Sequence, residues 1–133
     1  MNEHGFIRGV HTSLATPGLR IWKIHDQYQG GVPDAFYCGG AGTLWIEYKY
    51  VPSFPVRLAT PIKTILSELQ IGWLESLRAA SESAWLVVGI GKLIYINQNH
   101  DLRTVITKQS TGNQLFTRKQ LVSMIQGQCK GTT

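Results

Sequence analysis

Gly31-Val32-Pro33-Asp34, followed thirteen residues later by Glu47-Tyr48-Lys49, is the stretch whose reading decides the fold of this chain. Two glycines and a proline make Gln29-Gly30-Gly31-Val32-Pro33 a turn. A short strand then runs over 34–38, and a second glycine turn, Gly39-Gly40-Ala41-Gly42, leads into Thr43-Leu44-Trp45-Ile46-Glu47-Tyr48-Lys49-Tyr50. The β-branched and aromatic content of that last run reads as a central strand. On a strand, Glu47 and Lys49 share one face about 7 Å apart, and Ile46 and Tyr48 share the other. If the two strands are antiparallel neighbours, the Asp34 carboxylate meets Glu47 at one end of the sheet. Two carboxylates in one place repel, and a bound Mg²⁺ or Mn²⁺ removes that penalty. Such an ion polarises a phosphate and activates a water, while the compact charge of Lys49 can hold the scissile phosphate. Taken singly, an aspartate after a proline also suits a plain turn, and a Glu-x-Lys strand also suits a solvated face.

Working outward, Phe6, Ile7, Val10 and Leu14 are spaced as an amphipathic helix that ends at Thr16-Pro17-Gly18. Residues 19–24 alternate apolar and basic side chains, the period of a half-buried strand. Pro52, Pro55 and Pro61 make 51–61 an irregular loop. Ile65, Leu66, Leu69, Trp73, Leu74 and Leu77 then give the strongest helical periodicity of the chain, predicting a helix over 62–79. Residues 85–90 read as a buried strand that returns through Gly91 into a strand over 92–96. A polar loop over 97–115 and a final helix capped by Thr117 and running to about 126 complete the order α-β-β-β-α-β-β-α. That order predicts an α/β (α+β) chain with a mixed sheet flanked by helices, residues 1–133 forming one domain.

The bulk properties fit this and exclude much else. With 133 residues, 43% hydrophobic and 16% charged, the chain is globular rather than disordered or fibrous. Its net charge of +5 has the sign that suits a polyanionic partner. Cys38 and Cys129 form neither a disulfide framework nor a zinc motif, so reduced thiols in a cytoplasmic compartment are expected. The first residues lack a signal-peptide pattern, and no run nears the ~18 apolar residues of a membrane span. His4, His11, His25 and His100 are too scattered for metal ligation by histidine. Ser13, Ser53 and Ser67 lack a nucleophile elbow, and Gly89-Ile90-Gly91 reads as a hairpin turn rather than a nucleotide fingerprint.

The GVPD turn, the IEYK strand and Ser67-Glu68-Leu69-Gln70-Ile71-Gly72-Trp73-Leu74 together resemble the PD-(D/E)XK nuclease superfamily, and within it the VRR-NUC branch. The resemblance spans about residues 3–90 and includes the strand Ala84-Trp85-Leu86-Val87-Val88-Gly89. It implies a restriction-endonuclease-like fold, dependence on Mg²⁺ or Mn²⁺, and cleavage of DNA, often branched. Asp34, Glu47 and Lys49 map onto its catalytic positions, and Gln70 onto the glutamine that lines its site. Asp34, Glu47 and Ile46, the last through its backbone carbonyl, map onto the metal contacts, with Glu3 resembling the acidic residue of the first helix.

The reading that follows is a structure-selective, metal-dependent endodeoxyribonuclease of Holliday junction or flap type. A compact phage-encoded enzyme, working as a homodimer in the host cytoplasm, fits the chain. Arg57, Lys63, Arg118 and Lys119 are candidates for phosphate contacts. Phe54, Leu58, Ile62 and Leu93 are apolar residues expected in loops or at strand edges, where a partner subunit could cover them. The rival is a non-catalytic DNA-binding protein that keeps the nuclease fold. The presence of Asp34, Glu47 and Lys49 together argues against it. A restriction-type enzyme reading sequence ranks third, because 133 residues leave no room for a recognition domain.

Overall fold

The computed structural model describes residues 1–26, 28–63 and 65–131. Its elements are α1 (Glu3–Leu14), β1 (Arg20–Lys23), β2 (Ala35–Gly39), β3 (Gly42–Val51), α2 (Glu68–Ala79), β4 (Ala84–Ile90), β5 (Leu93–Asn97), α3 (Lys108–Thr111) and α4 (Arg118–Lys130). The five strands form one mixed sheet in the order β1-β2-β3-β4-β5. β3 and β4 are parallel, joined through α2, and the other pairs are antiparallel. The expected mixed sheet with flanking helices is present.

Alternation along β3 divides the interior in two. Leu44, Ile46 and Tyr48 face α1 and α4 with Phe6, Val10, Leu14, Leu121 and Ile125. Trp45 and Val51 face the other way, with Leu86, Val88, Ile71 and Leu74 under α2. β4 is buried along its whole length because both faces are covered, which is why it reads as an unbroken apolar run. Gly91, at φ +62, closes the β4–β5 hairpin in the left-handed region that favours glycine.

The long helical periodicity is only half realised. α2 starts at Glu68, not at 62, and Thr64 lies outside the described residues. Ser67 stops the helix with a capping box: its hydroxyl accepts the Gln70 N–H, and the Gln70 side chain accepts the Ser67 N–H. Ile62 and Leu66 still enter the second core cluster, from irregular chain rather than from a helix turn. The 97–115 segment holds the single turn α3, and Leu102 and Ile106 are buried against the same cluster. α4 continues to Lys130, about one turn beyond the expected end, with its last turn buried through Cys129.

Two of the four apolar residues expected at the surface fold inward. Ile62 is only 8% exposed and Phe54 packs on the second cluster, leaving Leu58 and Leu93 exposed. Among the described residues no helix is long and apolar enough to cross a membrane.

Candidate active site

The register of β2 against β3 builds the site. Ala35 pairs with Ile46, so Asp34 stands beside Glu47 at the end of the ladder. Tyr48 donates its backbone N–H to Asp34 Oδ2 at 2.8 Å, which fixes one carboxylate oxygen and turns the group toward Glu47. The two carboxyls are near enough that each perturbs the other's titration. Gly31 sets the approach to this turn. Its φ is +85, and an added Cβ would stand 2.5 Å from the carbonyl carbon of Leu69 in α2. Any side chain there would push the turn away from the helix.

Glu47 is 2% exposed, yet it carries the chemistry-bearing end of the strand. Its Oε2 accepts from Gln70 Nε2 at 3.0 Å and faces Lys49 Nζ at 3.5 Å. Its Oε1 is buried with no hydrogen-bond partner among the described residues. Burial and the neighbouring charge of Asp34 push the Glu47 carboxyl up to about 8, against the opposing pull of Lys49. Burial also raises Asp34, and the Tyr48 N–H and the Lys49 charge hold it back. A buried, unpartnered oxygen on a carboxylate that neighbours a second carboxylate is an arrangement that a proton or a cation completes. These residues therefore fit a hard divalent cation.

Glu3 opens α1, whose start is secured by Asn2 Oδ1 accepting the Gly5 N–H at 2.9 Å. Its carboxyl is raised by burial, and it feels the charges of Lys49 and Asp34. It does not close onto the pair: among the described residues no group of three or more His, Cys, Asp and Glu is spaced to hold a metal. Ile46 points its side chain into the first core cluster, so only its backbone is available to an ion.

The four basic candidates do not gather. Arg57 and Lys63 are exposed on the loop between β3 and α2, whose Ile62 and Leu66 enter the cluster on the Glu47 face. Arg118 and Lys119 begin α4, on the opposite face, and Arg118 is half-buried near Gly9.

Sequence reasoning missed the support on the far side of β3. His11 Nε2 is 2.8 Å from Tyr37 Oη, which is 2.6 Å from the buried Tyr48 Oη. This chain anchors the side chain of the residue whose N–H holds Asp34. The alternation of β3 signals that Tyr48 faces inward, but its partners depend on how α1 docks.

No family model matches the chain, and no curated protein matches it. Among solved structures it is similar to that of Hjc, a Holliday junction resolvase from the archaeal hyperthermophile Archaeoglobus fulgidus. The TM-score is 0.61 at 14% sequence identity, covering 90% of this chain and 98% of that one. At that identity the likeness establishes the fold: a restriction-endonuclease-like α/β architecture.

Proposed function

We propose that this protein is a divalent-metal-dependent DNA endonuclease selective for branched DNA. The observation that carries the reading is the half-buried Asp34 beside the buried Glu47, whose Oε1 has no partner among the described residues and whose Oε2 lies 3.5 Å from Lys49 Nζ. Asp34 and Glu47 would hold Mg²⁺ or Mn²⁺, with the Ile46 backbone as a further donor and Glu3, which stands off the pair, reaching the ion through a bound water. The ion would supply Lewis-acid polarisation of a phosphate and a more acidic bound water. The chain's own residues do the positioning. Tyr48 N–H aims Asp34, and Gln70 and Lys49 both hold Glu47 through its Oε2. Lys49, half-buried beside the pair, offers an ammonium to the charge that develops on a phosphodiester in the transition state.

Likeness to a resolvase fold supports branched DNA as the substrate, Holliday junctions or flaps in particular, and a homodimer as the working form. The Ser67–Gln70–Trp73 spacing on α2 supports the VRR-NUC branch. Arg57 and Lys63, on the loop that packs beneath the Glu47 face, are the better placed of the basic residues for phosphate contacts. Arg118 and Lys119 require DNA that wraps past α4.

Incubation with linear, nicked, flapped, splayed and four-way DNAs in Mg²⁺, Mn²⁺ or EDTA tests the reading. Metal-dependent cutting confined to branched substrates is expected. Binding without cutting in either metal would leave the non-catalytic DNA-binding alternative. Light scattering reports on the dimer.

A further inference from the structure

A row of aromatic rings crosses the sheet one pleat step from the carboxylates. Trp22 of β1 pairs with Phe36 of β2, and Phe36 pairs with Trp45 of β3. Ring centroids are 6.4 Å apart in the first pair and 4.5 Å in the second. Phe36 is two residues from Asp34, and Trp45 two from Glu47, so the row shares their face of the sheet. Its two ends differ. Trp45 packs on the second core cluster, and its indole N–H donates to Glu82 Oε1 at 3.3 Å. Trp22, on the edge strand, is 56% exposed. Arg20, two residues back on the same face of a strand without an acidic residue, is exposed and takes part in no ion pair among the described residues, while Lys23 turns to the α1 face near His11.

From these observations we infer that Trp22 is a stacking platform for an unpaired base of the DNA whose phosphate occupies the Asp34–Glu47 site. The inference rests on the nuclease reading. An exposed indole with the Arg20 guanidinium on the same face of its strand suits a nucleobase joined to phosphates, and stacking of this kind tolerates any base. Trp22 lies one strand across and one pleat step along from Asp34, about 8 Å by the spacings of a sheet. A base on it therefore belongs to a nucleotide close to the phosphate being cut. Bases inside a continuous duplex have no free face to offer, whereas those at a branch or splayed end do. The platform thus favours branched DNA without reading sequence. Phe36 backs the indole edge-on and keeps it from folding onto the sheet.

The test is an anisotropy titration of the full chain in EDTA, using labelled splayed-arm DNA and a blunt duplex of equal length. Trp22→Ala should weaken binding to the splayed DNA by about ten-fold and to the duplex by about two-fold or less. Trp22→Phe should restore most of the splayed affinity. Equal losses on both DNAs, or none on either, would overturn the platform. So would an assembly change in sedimentation with the DNA preference intact, which would make Trp22 a contact between copies of this chain. Cutting of the same splayed DNA in Mg²⁺ separates the two ideas. If Trp22→Ala cuts with unchanged KM, the platform fails and the nuclease stands. If the wild type neither binds nor cuts, both fail.

Discussion

The Gln70 amide is held at both ends: its Oε1 accepts the Ser67 N–H at 2.9 Å, and its Nε2 donates to Glu47 Oε2 at 3.0 Å. One side chain thus starts α2 and orients the buried carboxylate. Gln70→Ala should lower stability by about 1 kcal/mol through the lost cap and reduce cutting by about ten-fold. Gln70→Glu separates the roles, because it keeps the cap acceptor and sets a third carboxylate against Glu47. Near pH 5, where Glu47 keeps its proton and can donate to the new carboxylate, thermal unfolding of this variant should stay near wild type while cleavage falls. Parallel losses of stability and cleavage in both variants would confine Gln70 to capping.

Lys49→Ala should cut turnover by about 10²–10³ while changing DNA affinity little, as for a group that acts on charge formed in the transition state. Lys49→Arg should not rescue it, since a planar guanidinium cannot take the place of a compact ammonium 3.5 Å from a buried carboxylate. Single-turnover cleavage beside a binding isotherm makes the comparison. Rescue by arginine would assign Lys49 to general phosphate attraction.

The crowded carboxylates give the metal-free protein a pH signature. Glu47 titrates near 8 in the folded chain, against an ordinary value of 4.5. Between those limits the folded state holds a proton that the unfolded state has released, so stability declines as pH rises. The Glu47 contribution is fully present below about 4.5 and is lost as pH passes 8. Asp34 and Glu3 are raised as well and act in the same direction. Urea unfolding in EDTA should show this decline between pH 5 and 8, at a slope below ~1.4 kcal/mol per pH unit from Glu47. Glu47→Gln should flatten it, and a divalent cation should reverse it at pH 8. A flat profile in the wild type would show that the pair is not forced together.

Affinity for DNA should fall steeply with salt, because a chain of net charge +5 displaces condensed counterions. Arg57→Ala and Lys63→Ala should each reduce the slope of log K against log salt by about one, and Arg118→Ala by less. Isotherms over a range of NaCl concentrations decide it. A larger effect from Arg118 would place the DNA across α4.

The alternation of 43–50 placed Glu47 and Lys49 on one face and Ile46 and Tyr48 on the other, because a strand's period is strict. The glycine turn between the two strands implied a hairpin, and the hairpin put Asp34 beside Glu47. The start of α2 was hidden, because Ile62, Ile65 and Leu66 continue a helical spacing while entering the core from irregular chain. Ser67-x-x-Gln70, visible in the sequence, was the stop signal that outweighs it. Trp22 could not be located, since the alternation of residues 19–24 breaks at Trp22-Lys23 and nothing local shows how far α2 extends over the sheet. Nor could Arg57 and Lys63 be told from Arg118 and Lys119, whose sides of the sheet depend on helix docking. His11, Tyr37 and Tyr48 lie far apart in sequence and meet only through packing.

The most direct measurement is cleavage of a labelled four-way junction by the wild type, Asp34→Asn and Glu47→Gln, each in Mg²⁺ and in EDTA, beside binding of the same junction in EDTA. The paired carboxylates predict cutting only by the wild type with metal, at least 10³-fold above either variant, with similar junction affinity for all three. Undiminished cutting in EDTA, or by either variant, would contradict the account.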